Sequence, residues 1–468
     1  MKRINGIKFH GPSPSERACP VFSGGLGVRY FFILLICFSA CNNSQKKVII
    51  AENQLPVMWA DMTLLITKNT PANSPTFASR ALGYIGLTMY ESVVNSSSYY
   101  ASLAGQLNRL TTLPAPEKNK QYNWALSLNA GQAAILRDIY IQTSKENKKK
   151  IDSLESLIYH SFADTLNDKA IADRSVKYGK AVASAIFEWS KTDGGHRAYL
   201  TNFDKKMTYP SHVGAWKPPF FAQTISRLPL HPHWGDNRTF LKADTNWKMP
   251  AFILYDTANL SACYKEFMEV YLANTKITEP QKEIAMWWND DPSETYTPPG
   301  HSYNLASTVI KIKKPDMVKA TQTYARVGLA VADAFIVCWK MKYHYFSERP
   351  STFVSENIDP EWDPFWPDPP FPAFPSGHAT QAAAVASVLA GLYGDNVSFT
   401  DSTHAGRPRD LVRDVEYKPR KFNSFHQVAE ETAYSRFLGG IHTMDDNNTG
   451  LLEGSKVGQH VNELKWRN

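Results

Sequence analysis

Three short stretches carry residues that together could hold and transform a small oxyanion. KYHYFSERP supplies Lys342, Arg349 and Pro350; PSGH supplies Pro375, Ser376, Gly377 and His378; SRFLGGIHTMDD supplies Arg436, His442 and Asp446. Each has a bland reading by itself: two solvated cations near a helix end, a helix cap followed by an idle histidine, and an accidental His/Asp pair four residues apart. Combined, they offer three cations, one hydroxyl, a cluster of backbone amides and two imidazoles. A unit charge pair at about 4 Å in a partly screened site contributes on the order of 4 kcal/mol before desolvation. One cation does not offset the cost of burying a di- or trianion; three can.

The elements that must position these groups follow from spacing. Seven residues advance a helix by about 700°, which predicts that Lys342 and Arg349 share a face two turns apart, with Pro350 stopping the helix. Six prolines between 364 and 375 make a stiff approach to the Ala-rich stretch that begins near Ser376. The free amides of that first turn would face an anion, and Gly377 permits close approach. Gly439 and Gly440 fall where a helix between Arg436 and His442 can end or bend. If the segment after them is helical, Asp446 faces His442, holds its Nδ1–H and turns Nε2 into the site.

Helical periodicity covers roughly 56–69, 75–95, 123–141, 147–167, 171–192, 263–275, 279–290, 301–312, 316–346, 376–394, 424–443 and 448–465. Between residues 193 and 262 the chain is dense in proline, glycine and aromatics, as in YPSHVGAWKPPFF and LPLHPHWGDNRTF. It reads as an irregular connector over the surface, and His231, His233 and Trp234 as residues that pack it. His301 and His344 are read as structural. No segment shows sustained β alternation. The expected fold is all-α, a helical bundle of two packed halves, 56–262 (including the connector) and 263–468, the latter carrying the three motifs.

Composition narrows the partners. Of the formal net charge of +7, four units fall in residues 1–41, so the remainder is nearly balanced and nucleic-acid binding is not expected. In VRYFFILLICFSAC a short apolar run follows Arg29 and ends at Ala40-Cys41, which reads as an export signal too short to span a bilayer. Its ending resembles a bacterial lipoprotein signal, implying cleavage before Cys41 and acylation of its sulfur. Residues 1–41 are thus expected to be a signal region, with translation starting near Val28, and 42–55 a polar tether. The mature chain would be exported, meeting the membrane only through its lipid anchor. Cys263 and Cys338 lack zinc-ligand spacing and read as buried thiols.

Lys342-x6-Arg349-Pro350, Pro375-Ser376-Gly377-His378 and Ser435-Arg436-x5-His442-x3-Asp446 resemble the tripartite signature of the superfamily that holds type 2 phosphatidic acid phosphatases, bacterial acid phosphatases and vanadium-dependent haloperoxidases. WWNDDPSETYTPPGHSYNLA (287–306) and PPFPAFPSGHAT (369–380) are similar to segments of the soluble haloperoxidase branch. The resemblance implies oxyanion binding by Lys342, Arg349, Ser376, Gly377 and Arg436, with His378 as general acid/base. His442 would be the vanadate ligand or, in a phosphatase, the phosphorylated nucleophile. Asp290 would brace Arg436 from behind, and Phe371 would give a chloroperoxidase-like halide pocket. The expected activity is halide oxidation by hydrogen peroxide with vanadate as cofactor, Lys342 polarising the peroxide. The alternative is a soluble acid phosphatase that hydrolyses phosphate monoesters through a phosphohistidine and needs no cofactor.

Overall fold

The computed structural model describes residues 49–468; the expected signal region, Cys41 and the first part of the tether lie outside the described residues. The chain runs through α1 (Leu55–Asn69), α2 (Pro75–Glu91), α3 (Trp124–Ile139), α4 (Lys145–Ala163), α5 (Lys169–Ser190), α6 (Ala262–Thr275), α7 (Glu279–Trp287), α8 (Thr297–Lys313), α9 (Met317–Tyr345), α10 (Pro350–Asn357), α11 (Gly377–Tyr393), α12 (Phe425–Leu438) and α13 (Met444–Glu463). One small antiparallel ribbon pairs β1 (Phe399–Asp401) with β2 (Arg420–Phe422). The fold is all-α, as expected. No helix among the described residues is long and apolar enough to cross a membrane.

The helix starts are written in the sequence. Ser74, Asn123, Ser144, Asp168, Ser261, Asp316, Ser376, Ser424 and Thr443 each accept a first-turn amide with their side chain, worth about 1 kcal/mol per cap. The tether reading fails at its end. Ile50 is buried, with its amide donating to Ser161 Oγ, and residues 52–54 form a 3₁₀ turn leading into α1.

The two helical halves share a core. Helix α2 packs along α9, the longest helix, whose buried residues run from Met317 to Lys342. Helix α11 packs equally closely on α13 because Gly450, Gly454 and Gly458 recur every four residues along one side of α13. A Cβ at Gly454 would overlap the Thr380 carbonyl, and one at Gly450 would lie 2.8 Å from the Ser376 carbonyl. This contact registers the Ser376 end of α11 against the His442 end of α13: the Ser376 amide donates to the Asp446 carbonyl at 2.9 Å.

Two local expectations need correction. Lys342 and Arg349 are not on one helix: α9 ends at Tyr345, Phe346 turns the chain with a left-handed φ of 47°, and Arg349 is the residue before α10. Pro350 starts that helix instead of stopping the previous one, the first-turn position that proline favours. The connector, moreover, is not only a surface wrap. His231 is buried between Thr76 Oγ1 and the Ala198 carbonyl and stacks on Trp234, and connector residues reach the site described next.

Candidate active site

A cavity of about 370 Å³ opens where the α2 start, the connector, the loop before α8, the proline-rich loop and the ends of α11 and α12 meet. Its lining includes Asn73, Ser74, Phe203, Gln223, Leu230, Asn289, Asp290, Asp291, Trp339, Phe371, Gly377, His378, Arg436 and His442. The second and third motifs therefore meet at this cavity, and the first reaches it through Arg349, which touches His442. The signal for the connector's share was weak, because Phe203, Gln223 and Leu230 follow no periodicity.

His442 and Asp446 meet without a continuous helix. Thr443 caps α13, Asp446 is its third residue, and the pair Thr443/Asp446 forms a reciprocal capping box. Asp446 Oδ2 accepts the His442 Nδ1–H at 2.8 Å and the Thr443 amide at 3.2 Å. Arg349 Nη1 donates to His442 Nε2 at 3.1 Å. With Nδ1 donating and Nε2 accepting, the imidazole is the tautomer that carries its lone pair on Nε2, where Arg349 now engages it and a ligand would take that donor's place. Burial, and then Arg349, Lys342 and Arg436, depress the His442 pKa far below the usual histidine range, so the ring is neutral. Burial also raises Asp446 to about 7 against the pull of Lys342 and Arg349.

His378 occupies the second position of α11, and its Nε2 is shielded from solvent with no hydrogen-bond partner. Burial and then Arg436 push its pKa well down, leaving it a neutral base. Ser376 Oγ accepts the Ala379 amide at 3.4 Å, so the hydroxyl caps α11 and keeps its own proton to donate. Arg436 lines the cavity. Its guanidinium lies 4.0 Å from the Trp366 ring centroid, its Nη1 donates to the Trp288 carbonyl at 3.0 Å, and its Nε is buried without a partner. Gly439 admits that indole, since a Cβ there would collide with it, and Gly440 turns the chain at φ 76° towards His442.

Lys342 differs from expectation. Its Nζ donates to the carbonyls of Pro372 (2.9 Å), Ala373 (2.6 Å) and Pro375 (2.7 Å), and it does not line the cavity. The reason is local: the proline-rich loop belongs to no helix or sheet, so its buried carbonyls need donors, and a buried ammonium needs acceptors. Burial lowers Lys342 to about 7. Arg349 is employed similarly, donating to the carbonyls of Phe371, Pro372 and Ile441 as well as to His442. Phe371 does stand at the cavity, its ring 4.9 Å from that of Trp339 and 5.2 Å from both the Lys342 and Arg349 charges.

Asp290 also departs from its expected task. It makes no ion pair with Arg436; its carboxylate receives the His301 Nδ1–H at 2.9 Å and the His404 Nε2–H at 2.8 Å. His301 Nε2 donates to Asp401 Oδ2 at 2.8 Å, which also receives the Trp287 indole N–H at 2.7 Å. Against burial, Asp290 and Asp401 lift His301 to about 10, making it a buried imidazolium. Asp290, His301 and His404 have the spacing of a metal site, a cluster invisible in a sequence that spreads it over more than a hundred positions. Its contacts are all hydrogen bonds of ordinary length. Cys263 and Cys338 are free buried thiols, as expected.

Comparisons with known proteins bear on the family and the fold. Residues 322–467 match the family model described as the VCPO second helical-bundle domain. The chain is 31% identical to a protein solved as the first bacterial vanadium-dependent iodoperoxidase, covering 89% of this chain and 97% of that one, with a TM-score of 0.75. A bacterial vanadium-dependent chloroperoxidase in its holo form superposes with a TM-score of 0.61 at 16% identity, over 90% of this chain and 94% of that one. The vanadium chloroperoxidase of Curvularia inaequalis is 26% identical over 465 residues, 80% of this chain and 75% of that protein. The chain belongs to the vanadium-dependent haloperoxidase family.

Proposed function

We propose that the protein is a vanadate-dependent haloperoxidase, oxidising halide with hydrogen peroxide at His442. The observation that carries the reading is the His442 tautomer, with Nδ1–H fixed on Asp446 and Nε2 the acceptor, facing the Arg349 guanidinium. The surrounding groups fit a tetrahedral oxyanion: the partnerless Nε–H of Arg436 and the amides that open α11 at Gly377 are donors, and the partnerless Nε2 of His378 lines the same cavity as a proton acceptor. His442 would hold vanadate, with Arg436, Gly377 and Ser376 on its oxygens and Arg349 behind the ligating ring. Bound vanadate supplies Lewis-acid activation of peroxide.

The chain's own residues then divide the remaining work. Neutral His378 accepts a proton at Nε2 as hydrogen peroxide enters. Halide attacks one peroxide oxygen and surrenders two electrons, the O–O bond breaks, and the other oxygen leaves as water after taking up protons. Lys342 and Arg349 keep the Phe371 loop closed over this chemistry through its carbonyls. Their positive field behind the cavity favours an incoming halide anion. Export as a lipoprotein acylated at Cys41 belongs to the same proposal, and a mature N-terminus carrying an acylated cysteine in mass spectra tests it.

The function is tested by loading the purified protein with orthovanadate and adding peroxide with iodide, bromide or chloride in the presence of a dione reporter. Vanadate-dependent halogenation that disappears in His442→Ala is expected. Metal-independent cleavage of an aryl phosphate, inhibited by vanadate and without halogenation, would replace this reading with the phosphatase one.

A further inference from the structure

A second cavity, of about 160 Å³, shares no lining residue with the first. Its walls come from the connector, the start of α6, the turn before α10 and the start of α13. We propose that it binds a small primary alkylammonium, the charged head among Glu266, Glu348 and Asp445 and the alkyl chain against Phe252, Tyr255 and Phe267. Binding there does not depend on the oxyanion site.

The acids of this cavity lack a cation. Glu348 is 4% exposed, and its buried Oε1 has no hydrogen-bond partner, an acceptor that calls for an N–H donor. Burial, and then Glu356, raise its pKa to about 7, while Lys217, the cation that acts on it, is held by Glu356. Glu266 Oε2 accepts the Asp445 amide at 3.0 Å, which holds that pair of acidic residues together. Burial and then Glu266 raise the Asp445 pKa. Among the described residues none of Glu266, Glu348 and Asp445 forms an ion pair. His212 is the one basic side chain of the lining, and its Nδ1–H donates to the Val213 carbonyl at 2.9 Å.

The remaining walls suit an organic cation. Phe267 stacks on Phe353 at 4.1 Å, Tyr255 meets the same ring edge-on at 5.6 Å, and Phe252 packs 4.9 Å from Phe374. These rings are already fixed from behind, and aromatic faces attract an ammonium. Val213 and Leu254, also in the lining, are 74% and 80% exposed, so a short alkyl chain there would cover apolar surface. A metal ion fits less well. Among the described residues the one group with three ligand atoms close enough to share an ion is Asp290, His301 and His404, so the acids here ring the cavity without converging on a point.

The test compares n-butylammonium with n-butanol, a neutral molecule of the same length, by ligand-observed NMR on the vanadate-free protein. The ammonium is expected to bind about tenfold or more tightly than the alcohol. Glu348→Gln keeps the shape and removes the charge; it should weaken the ammonium about fivefold or more and leave the alcohol within about twofold. If thermal melting shows that Glu348→Gln does not fold, Asp445→Asn decides by the same criterion. Equal binding of the two probes, no binding of the ammonium, or an ammonium affinity that survives the substitution overturns the inference. So does calcium that binds more tightly than the ammonium and is lost in the same variant, since the cavity would then hold a metal. With no vanadate in the assay, these outcomes leave the oxyanion site to its own test.

Discussion

The hydrogen bond from His442 Nδ1 to Asp446 can be graded by two substitutions. In Asp446→Asn the amide oxygen can still accept at the present 2.8 Å, so the tautomer survives and only the charge is lost. Hydrogen bonds to charged groups contribute about 1.5–3 kcal/mol and neutral ones about 0.5–1.5 kcal/mol. The difference, roughly 1–1.5 kcal/mol, corresponds to about a five- to tenfold weaker hold on vanadate. Asp446→Ala removes the acceptor altogether and strands the Thr443 amide as well. The Nδ1–H then has no acceptor, only Arg349 at Nε2 still favours its present position, and a proton that moves to Nε2 blocks the ligand position. About 3 kcal/mol, or over a hundredfold in affinity, should be lost. Vanadate titration followed by vanadium NMR measures the series, with thermal melting confirming that each variant is folded. An Asp446→Ala protein binding within threefold of wild type would refute the tautomer argument.

Lys342→Met leaves three loop carbonyls without their donor; chemical denaturation should show a loss of about 3 kcal/mol or more, and limited proteolysis should cut earlier between Phe371 and Ser376. Ser376→Ala removes the α11 cap and should cost about 1 kcal/mol in the same assay. Glu91 is buried and burial raises its pKa to about 7, so the folded state binds its proton more tightly than the unfolded chain does. Stability from this group therefore falls as pH rises from about 4.3 to about 7. Relative to wild type, Glu91→Gln should gain on the order of 3 kcal/mol across that window; a pH-independent difference would contradict the assignment.

Periodicity and capping residues made most helices legible. Pro75 behind Ser74 and the Ser376-Gly377 start were readable because local chemistry decides them. The short helix α10 was not, since Pro350 can end one helix or begin the next, and only the Phe346 turn decides between them. The motif residues met as their types suggested, but the direction of each donor was hidden. Lys342 and Arg349 face a loop whose carbonyls lack partners, a need that arises only once the proline-rich segment is folded against them. The hydrogen bonds of Asp290 were hidden for a similar reason: His404, one of its partners, lies 114 residues away, in a stretch with no pattern of its own. The Gly450-Gly454-Gly458 stripe was present in the sequence as a four-residue repeat, yet its meaning depends on α11 lying against it.

The central claim is that His442 Nε2 is the ligand atom at the focus of the three motifs. A crystal structure after soaking with orthovanadate measures it directly. Vanadium bonded to His442 Nε2, with Arg436 and the Gly377 amide on its oxygens, is the expected result. Vanadium bound elsewhere, with His442 still donating only to Asp446 and facing no anion, would contradict it.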